Sequence, residues 1–271
     1  MGEKIRMGRA LAVVCLLAGL VAAAVPASAD VRIVGGTRAS TQDYPYAVYL
    51  AQQDGFQFCG GTLATSEKVV TAAHCVKGEQ ETPGNVYVVA GRDDKKATNA
   101  GVMVQVRHIW VHPSYTDALK GHDVAVLTLS KRMNANYAPL PIATPDDQWA
   151  YEPNTMATIL GWGRTSSGGQ TSQYLLRADV PLVSDESCKQ SFGKFNPASM
   201  VCAGYAQGGI DGCQGDSGGP MVAHGRLLGI SSWGEGCALA NKPGVYTRVM
   251  AYYKEIMEQL RSTPRLGTLV G

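Results

Sequence analysis

The sequence predicts an all-β fold of antiparallel strands, arranged either as barrels or as a sandwich. Between residues 46 and 248, short apolar, β-branched and aromatic runs alternate with turn residues and do not alternate regularly with helical patterns. Many short strands without intervening helices favour an antiparallel architecture over a parallel βαβ sheet. The predicted strands are Tyr46–Gln52, Val69–Thr71, Val86–Ala90, Val102–Ile109, Val124–Leu129, Ala157–Gly161, Tyr174–Val180, Pro220–Ala223, Leu227–Ser232 and Val245–Val249.

The segments outside these strands complete the predicted organisation. The stretch from Pro139 to Pro153 contains four prolines and suits a crossing between two halves of the fold. A short helix is expected to begin at Ser184, because two acidic residues follow in its first turn. A longer C-terminal helix is predicted because apolar residues recur at helical spacing. These residues are Val249, Tyr252, Tyr253, Ile256, Met257 and Leu260.

Composition and charge exclude several classes of protein. Hydrophobic residues make up 45% of the 271 residues and charged residues 17%. These values do not fit a disordered tail, a collagen-like repeat or a coiled coil. The formal charge of +2 comes entirely from residues 1–32, because residues 33–271 hold 20 basic and 20 acidic residues. This balance predicts that the protein has no nucleic-acid partner.

The first 29 residues have the pattern of a signal peptide. Three basic residues precede an uncharged apolar stretch at residues 10–25, and the small-residue motif Ala27-Ser28-Ala29 follows it. This stretch is shorter than the roughly 20 residues that span a bilayer as a helix. The alternative is an N-terminal anchor that is not removed. We therefore expect a secreted, extracellular protein with no membrane segment after signal removal.

The cysteines indicate disulfide bonds. Seven are present, and Cys15 lies within the predicted signal peptide. Export exposes the other six to oxidising conditions, under which they are expected to pair. Six cysteines allow 15 pairings, among which the sequence alone does not choose. A structural zinc site is the alternative, but the sequence contains no Cys-x-x-Cys pair.

Ser217 is the strongest candidate nucleophile. It lies in the stretch GDSGGP at residues 215–220, where small neighbours would expose its hydroxyl and leave backbone N–H groups free for an oxyanion. The same stretch also fits a glycine-rich turn or the nucleophile elbow of α/β-hydrolases. The α/β-hydrolase interpretation requires an acid and then a histidine after the serine. Only His224 follows Ser217, and no acid lies between them.

A candidate base and a candidate acid for this serine occur earlier in the chain. His74 follows an apolar strand and precedes Cys75, a possible anchor for it. Asp123 opens another apolar strand, where a buried carboxylate without a donor would be costly. An imidazole N–H is a suitable donor, which predicts a constellation of His74, Asp123 and Ser217. The neighbouring His122 is expected on the surface, because successive strand residues point to opposite faces.

Four separated motifs resemble those of the chymotrypsin-type serine proteases. They are IVGG at residues 33–36, TAAHC at 71–75, HDVA at 122–125 and GDSGGP at 215–220. The resemblance runs from about Arg32 to Leu260. It implies two six-stranded antiparallel β-barrels with the active site between them, and a C-terminal α-helix. Residues 33–145 would form the N-terminal barrel and residues 146–271 the C-terminal barrel with the helix, within a peptidase domain of residues 33–260.

The resemblance also implies the catalytic roles. Ser217 would attack the scissile carbonyl, His74 would act as general base and then as general acid, and Asp123 would orient His74. The N–H groups of Gly215 and Ser217 would form the oxyanion hole. This chemistry needs no cofactor.

Activation by cleavage is a further implication of the resemblance. Cleavage after Arg32 would give Ile33 a free ammonium group, which would enter the protein and pair with Asp216. A zymogen with a short propeptide at residues 30–32 follows from this. The alternative is that this segment is an ordinary start of the folded chain, followed by a glycine turn, with no role in activation.

Asp211 is the residue from which substrate specificity is inferred. Taken alone, it belongs to an Asp-Gly turn dipeptide. In the family it would lie at the floor of the primary substrate pocket, as in trypsin, and would favour cleavage after Arg or Lys. Gly234 and Gly244 would form the pocket wall. The stretch Ser232-Trp233-Gly234 would pair with the substrate backbone by strand addition.

The resemblance implies one disulfide pairing and also indicates whether a calcium site is expected. The implied pairs are Cys59–Cys75, Cys188–Cys202 and Cys213–Cys237, a set of three that resembles the bacterial secreted trypsins. The loop containing Asp93 and Asp94 lacks the glutamates that hold calcium in vertebrate trypsins. We therefore expect no metal in this loop, and calcium only as a stabiliser elsewhere.

The favoured hypothesis is a secreted, monomeric, trypsin-like serine endopeptidase. Its partners would be proteins or peptides with Arg or Lys at the cleaved position, and proteinaceous serine protease inhibitors. One alternative is a catalytically silent protease homologue that acts as a binding module, although all three catalytic positions are filled. The other, less favoured, is a serine esterase.

Overall fold

The computed structural model describes residues 1–2, 33–78 and 82–263. The described chain forms two closed six-stranded antiparallel barrels and a C-terminal helix, so the predicted fold class is confirmed. Beyond residue 2, the predicted signal peptide lies outside the described residues, as do residues 30–32. The division of the chain at residue 145 stays a prediction.

Thirteen strands and two α-helices make up the regular structure of the described residues. The strands are β1 (Thr37–Arg38), β2 (Ala47–Ala51), β3 (Gln57–Thr65), β4 (Lys68–Thr71), β5 (Tyr87–Ala90), β6 (Val102–Val111), β7 (Ala125–Leu129), β8 (Met156–Gly161), β9 (Leu176–Val183), β10 (Met200–Ala203), β11 (Pro220–Ala223), β12 (Arg226–Trp233) and β13 (Gly244–Arg248). The helices are α1 (Asp185–Ser191) and α2 (Tyr253–Arg261).

The first barrel closes in the strand order β2-β3-β4-β7-β6-β5. Buried aliphatic side chains such as Leu50, Leu63 and Leu127 fill its interior. Burial of each such side chain stabilises the fold by roughly 1.5–3 kcal/mol. In the antiparallel pair of β4 and β7, Thr71 lies opposite Ala125. The segment that follows β4 is therefore brought beside the segment that precedes β7.

The second barrel closes in the order β8-β9-β10-β13-β12-β11, with β11 returning to β8. The short strand β1 adds to β9, so the residues just after Ile33 join the second barrel before the chain enters the first. Strands β12 and β13 pair so that Trp233 lies opposite Val245. This pairing places the end of β12 beside the start of β13.

Both predicted helices are present. The hydroxyl of Ser184 accepts a hydrogen bond from Ser187 N at 3.1 Å and caps the N-terminus of α1. A 3-10 turn, Val249–Tyr252, leads into α2, where Ile256 is fully buried. Among the described residues, no helix is both long enough and apolar enough to cross a membrane.

The sequence prediction omits strands β1, β3 and β10. Two of them are very short, but β3 has nine residues and contains Gly60 and Gly61, which weaken its strand pattern. A Cβ on Gly60 would lie 2.9 Å from the Cα of Gly219 in the second barrel. Glycine at position 60 therefore allows the two barrels to approach closely at this point.

Candidate active site

Three segments from the two barrels converge on one cleft. His74 lies in the 3-10 turn Ala73–Cys75 directly after β4, and Asp123 lies just before β7. Ser217 lies in the turn that precedes β11. The first barrel thus contributes the histidine and the aspartate, and the second contributes the serine.

The Asp123 carboxylate is held by three donors. Oδ1 accepts from the backbone N of His74 at 2.9 Å, and Oδ2 lies 2.8 Å from His74 Nδ1. Oδ2 also accepts from Ser232 Oγ at 2.5 Å. These bonds satisfy a side chain that is only 1% exposed. Because Nδ1 donates to the carboxylate, Nε2 of the neutral ring is free to accept a proton in the cleft.

The expectation that His122 lies on the surface is wrong. Its ring is half-buried and stacks on His112 with ring centroids 4.7 Å apart. Strand β7 begins only at Ala125, so the strand alternation behind the expectation does not extend to His122. Its backbone instead adopts a φ of +57°, and its N–H donates to Tyr252 Oη at 2.9 Å.

The turn that contains Ser217 is anchored to both barrels. The Ser217 carbonyl oxygen accepts from Gly60 N at 2.7 Å, and Gly218 N donates to the Ser231 carbonyl at 2.8 Å. Cys75 Sγ lies 3.5 Å from the Ser217 carbonyl oxygen, which puts the serine beside the His74 turn. Within the described residues, no hydrogen bond joins the His74 ring to the Ser217 hydroxyl. Such bonds are often long before substrate binds.

Two backbone N–H groups are available next to the serine hydroxyl. In the described part of the chain, neither Gly215 N nor Ser217 N donates a hydrogen bond. Gly215 has a φ of +95°, a conformation that favours glycine, and a Cβ there would lie 3.1 Å from the Cα of Gly163. Two unpaired donors at one turn can bind an oxygen that develops negative charge.

Asp216 is buried beneath this turn. Its Oδ1 accepts from Gly163 N at 2.7 Å, and its Oδ2 accepts from Cys213 N at 3.0 Å. Burial raises the pKa of Asp216 to about 6, although both backbone bonds and the charge of Lys95 act to lower it. In the described chain, the donors around this carboxylate therefore do not fully compensate for its removal from water.

Ile33 lies in the same small cavity as Asp216. Its side chain is fully buried, and the cavity is also lined by Ile159 and Leu160. The neighbouring backbone is fixed, because Asp211 N donates to the Val34 carbonyl at 3.2 Å. The structure thus brings the residue after the predicted cleavage point to the carboxylate that it is expected to pair with.

Asp211 and Ser217 line the same cavity, which has a volume of about 230 Å³. The Asp211 side chain is 6% exposed, and its Oδ2 accepts from Ala238 N at 3.2 Å. Burial raises the pKa of Asp211 to about 7, although backbone hydrogen bonds from Ala238 and Gly212 act in the opposite direction. A cation that entered the cavity would supply the missing charge.

The other predicted pocket residues line the same cavity. Ser232, Trp233, Gly234 and Gly244 all contribute to its walls. A Cβ on Gly244 would lie 2.8 Å from Asp211 Oδ1, whereas a Cβ on Gly234 would have no neighbour closer than 3.9 Å. Glycine at 244 therefore keeps the carboxylate accessible. The volume is below the usual range for drug-sized ligands and suits a single side chain.

Three disulfide bonds join the six cysteines of the described chain. Cys59–Cys75 links β3 to the His74 turn, Cys213–Cys237 links the Ser217 turn to the cavity wall, and Cys188–Cys202 links α1 to β10. The first two bonds constrain segments that carry the candidate site.

Protein donors engage both aspartates of the loop considered for calcium. Asp93 Oδ1 accepts from Thr41 N at 2.6 Å and from Thr41 Oγ1 at 2.5 Å. Asp94 Oδ1 accepts from Lys96 N at 2.8 Å and from Gln173 Nε2 at 2.9 Å. These bonds give both carboxylates a structural role within the loop.

The sequence interpretation missed several residues that contact the site. Gln57 Nε2 donates to the Gly215 carbonyl at 2.7 Å, and Lys95 Nζ donates to Gln57 Oε1 at 3.0 Å. Thr247 Oγ1 donates to the Asp123 carbonyl at 2.8 Å. Neither Gln57 nor Lys95 belongs to a recognisable motif, so no sequence signal marks them.

Comparison with known proteins agrees with this geometry. The sequence model of the trypsin family matches residues 33–256. A trypsin from Saccharopolyspora erythraea is 54% identical over 230 residues, which cover 85% of this chain and 99% of that protein. Serine protease 1 from Rattus norvegicus and trypsin eta from Drosophila erecta are each 38% identical, over 90% of this chain and 97% and 96% of those proteins respectively.

The two barrels, with a histidine, an aspartate and a serine facing the cleft between them, define a serine peptidase of the chymotrypsin type. Within this class, the chain belongs to the trypsin family and is similar to bacterial trypsins. It is a trypsin-like serine endopeptidase, a hydrolase that acts on proteins or peptides.

Proposed function

We propose that the protein is a secreted endopeptidase that cleaves after Arg or Lys through Ser217, His74 and Asp123. The observation that carries the proposal is the pair of hydrogen bonds between His74 and Asp123, beside a serine flanked by two unpaired N–H groups. This arrangement supplies a base of fixed tautomer, a nucleophile and an anion site within one cleft.

The reaction proceeds in two halves. Ser217 Oγ attacks the scissile carbonyl carbon while its proton passes to His74 Nε2, and the carbonyl oxygen becomes an oxyanion held by Gly215 N and Ser217 N. The C–N bond then breaks, and His74 gives its proton to the departing amine, which leaves an acyl-enzyme. Water attacks the ester by the same route, and Ser217 regains its proton.

Asp123 stabilises the imidazolium that forms in both halves. Its carboxylate accepts from His74 Nδ1, and the bond from Ser232 Oγ keeps it oriented. Because Asp123 is nearly inaccessible to solvent, its attraction for the charged ring is only weakly screened.

Specificity for Arg or Lys is proposed from the charge of Asp211. The cavity lined by Ser217 and Asp211 has room for one extended side chain. Among its described lining residues, Asp211 is the only one that carries a charge. An incoming guanidinium or ammonium would pair with it in a desolvated slot, while an acidic or apolar side chain would leave it unpaired.

The protein is proposed to be made as a zymogen that is activated by cleavage after Arg32. The new ammonium of Ile33 would offset the buried charge of Asp216, whose pKa is raised in the uncleaved chain. The pairing would raise the pKa of the ammonium. The ion pair would therefore be present at neutral pH, where Asp216 is ionised, and lost as pH rises through the pKa of the ammonium.

Secretion, a monomeric state and susceptibility to proteinaceous inhibitors complete the proposal. Secretion is supported by the signal-like pattern of residues 1–29 and by the three disulfides. The chemistry requires no metal, and any calcium would act as a stabiliser away from the Asp93 loop.

The experiment that tests the proposal compares the activated protein with its Ser217→Ala variant. Wild type should hydrolyse an arginine p-nitroanilide and be labelled covalently by a serine-directed phosphonate, whereas the variant should do neither. A silent binding homologue would not hydrolyse the anilide, and an esterase would cleave the corresponding ester but spare the amide. Labelling that persists in Ser217→Ala would contradict the nucleophile assignment.

A further inference from the structure

A side-chain amide holds the peptide group next to the proposed oxyanion hole. Gln57 Nε2 donates to the Gly215 carbonyl oxygen at 2.7 Å, across 158 residues of chain. The Gln57 side chain is almost fully buried at the boundary between the barrels, at 7% exposure. Gly215 has no side chain and a φ of +95°, so its own conformational preferences do not fix the orientation of this peptide.

The Gln57 amide is itself held by a lysine. Lys95 Nζ donates to Gln57 Oε1 at 3.0 Å and to Thr171 Oγ1 at 3.0 Å. Lys95 is half-buried, and burial lowers its pKa to about 8 while the charge of Asp216 acts to raise it. Lys95 is therefore charged at neutral pH.

The lysine charge determines which way the amide points. A glutamine amide can rotate by half a turn, which exchanges its donor and acceptor ends at little steric cost. An ammonium group can only donate, so it binds the amide oxygen and leaves the NH2 group facing Gly215. Without this charge, the amide could turn its oxygen toward the Gly215 carbonyl, and two acceptors would then face each other.

The opposite side of Gly215 is also held. Arg164 N donates to the Gln214 carbonyl at 2.7 Å. Because a trans peptide points its carbonyl and N–H in opposite directions, this bond directs Gly215 N–H away from Arg164. The Gly215 residue is thus restrained at both of its peptide groups, by Arg164 on one side and by Gln57 on the other.

We propose that Lys95 is a positioning residue for the oxyanion hole, acting through the Gln57 amide on the Gly215 peptide. The proposal rests on the proposed function, because it assigns Gly215 N–H to the anion that forms during amide hydrolysis. Lys95 does not line the cavity that contains Ser217 and Asp211. Its contribution should therefore appear when the oxyanion develops and not when the substrate side chain enters the Asp211 cavity.

The test uses the activated protein and two variants that break different links. Lys95→Met keeps an unbranched apolar stem but removes the ammonium. Gln57→Glu keeps an acceptor for Lys95 but removes the donor to Gly215. Lys96→Met is the matched control, because Lys96 is the exposed neighbour in the same loop. For each protein, kcat and KM are measured on an arginine p-nitroanilide, with the affinities for a peptidyl arginine aldehyde and for benzamidine.

The aldehyde and benzamidine separate the two parts of the site. The aldehyde adds Ser217 Oγ to its carbonyl carbon and forms an oxyanion, whereas benzamidine occupies only the Asp211 cavity. Loss of one oxyanion donor typically lowers kcat by about 10²–10³-fold, so loss of a group that orients the donor should lower it by about tenfold. We expect this loss in kcat and in aldehyde affinity for both Lys95→Met and Gln57→Glu, with KM and benzamidine affinity unchanged.

Several outcomes would overturn the positioning role. One is a Lys95→Met variant with wild-type kcat and aldehyde affinity. Another is a parallel fall of benzamidine affinity, which would indicate general damage to the site, and a third is an equal loss in Lys96→Met. If Lys95→Met folds poorly, Gln57→Glu decides on the same readouts. A wild type that hydrolyses no amide would contradict the proposed function itself, and the positioning role with it.

Discussion

The buried carboxylates that the two barrels contribute to the candidate site are satisfied in opposite ways. Asp123 accepts from both a backbone and a ring nitrogen of His74 and from the Ser232 hydroxyl, so its partners all belong to the folded chain. Among the described residues, Asp211 and Asp216 have only backbone donors, and burial raises their pKa values to about 7 and about 6. The difference suggests that these two carboxylates are built to receive a cation that the uncleaved, unliganded chain does not supply.

This contrast assigns the three aspartates to three events. Asp123 has its hydrogen-bond partners before substrate arrives, and it supports the proton transfers of His74. Asp216 would gain a cationic partner once, when cleavage after Arg32 creates an ammonium at Ile33. Asp211 would pair in each turnover with the cationic side chain of the substrate. Each assignment can be tested by changing one aspartate.

The largest effect is expected from Asp123→Asn, which disrupts the hydrogen bonds between this residue and His74. The asparagine NH2 group cannot accept from His74 Nδ1–H, so the neutral ring would move its proton to Nε2 and could no longer accept from Ser217. Triads of this kind lose about 10⁴-fold in kcat on this change, and a similar loss is expected here. Steady-state kinetics on an arginine p-nitroanilide measure it, with benzamidine affinity as the control. A loss below about tenfold would show that Asp123 does not set the tautomer.

Asp211→Ser is expected to have the next largest effect, because it removes the charge that selects the substrate. Removal of one partner of a buried ion pair costs about 2–5 kcal/mol, which predicts a loss of kcat/KM for arginine substrates of about 30-fold or more. A phosphonate without a cationic group should still label Ser217 and serves as the control. If the variant keeps its preference for Arg in a cleavage profile, the cavity is not the specificity pocket.

A smaller effect is expected in the pH dependence of stabilisation by benzamidine. A carboxyl group whose pKa is raised from 3.8 to about 7 on folding binds its proton more tightly in the folded state. The unliganded protein therefore loses stability as pH rises from about 4 to about 7, and the full penalty remains above that range. Benzamidine offsets this penalty only where Asp211 is ionised.

Benzamidine should consequently raise the Tm more at pH 8 than at pH 5. Its affinity at pH 5 should be about 100-fold weaker, because only a small fraction of Asp211 is then ionised. Differential scanning fluorimetry at the two pH values, with calorimetric titration, provides the measurement. Equal stabilisation at both pH values would mean that Asp211 is already ionised at pH 5 and needs no cation. Asp211→Asn should show no such difference.

The sequence was informative where a feature is local in the chain. The ten predicted strands and both helices correspond to elements of the structure, because strand alternation, turn residues and helical spacing are patterns of neighbouring residues. Strand β3 was missed because Gly60 and Gly61 serve the contact between the barrels, which interrupts the local pattern. His122 was misplaced because the strand that follows it begins later than its sequence indicates.

Contacts between distant segments could not be read from the sequence. Ser232 was expected only to line the substrate site, but its hydroxyl donates to Asp123 across 109 residues. The link from Lys95 through Gln57 to Gly215 spans separations of 38 and 158 residues and involves no motif. Such contacts depend on how two closed barrels dock, and no pattern in either barrel alone encodes that geometry.

The central claim is that Asp216 and Asp211 each pair with a cation that the uncleaved, unliganded chain lacks. The N-terminus of the active protein tests this claim most directly. Secreted material that hydrolyses an arginine p-nitroanilide should be isolated and sequenced from its N-terminus. We predict the sequence Ile-Val-Gly-Gly, beginning at Ile33, and no hydrolysis by an Arg32→Gln precursor that retains residues 30–32. Full activity in a protein that begins at Asp30 would contradict the account, because Asp216 would then function without the Ile33 ammonium.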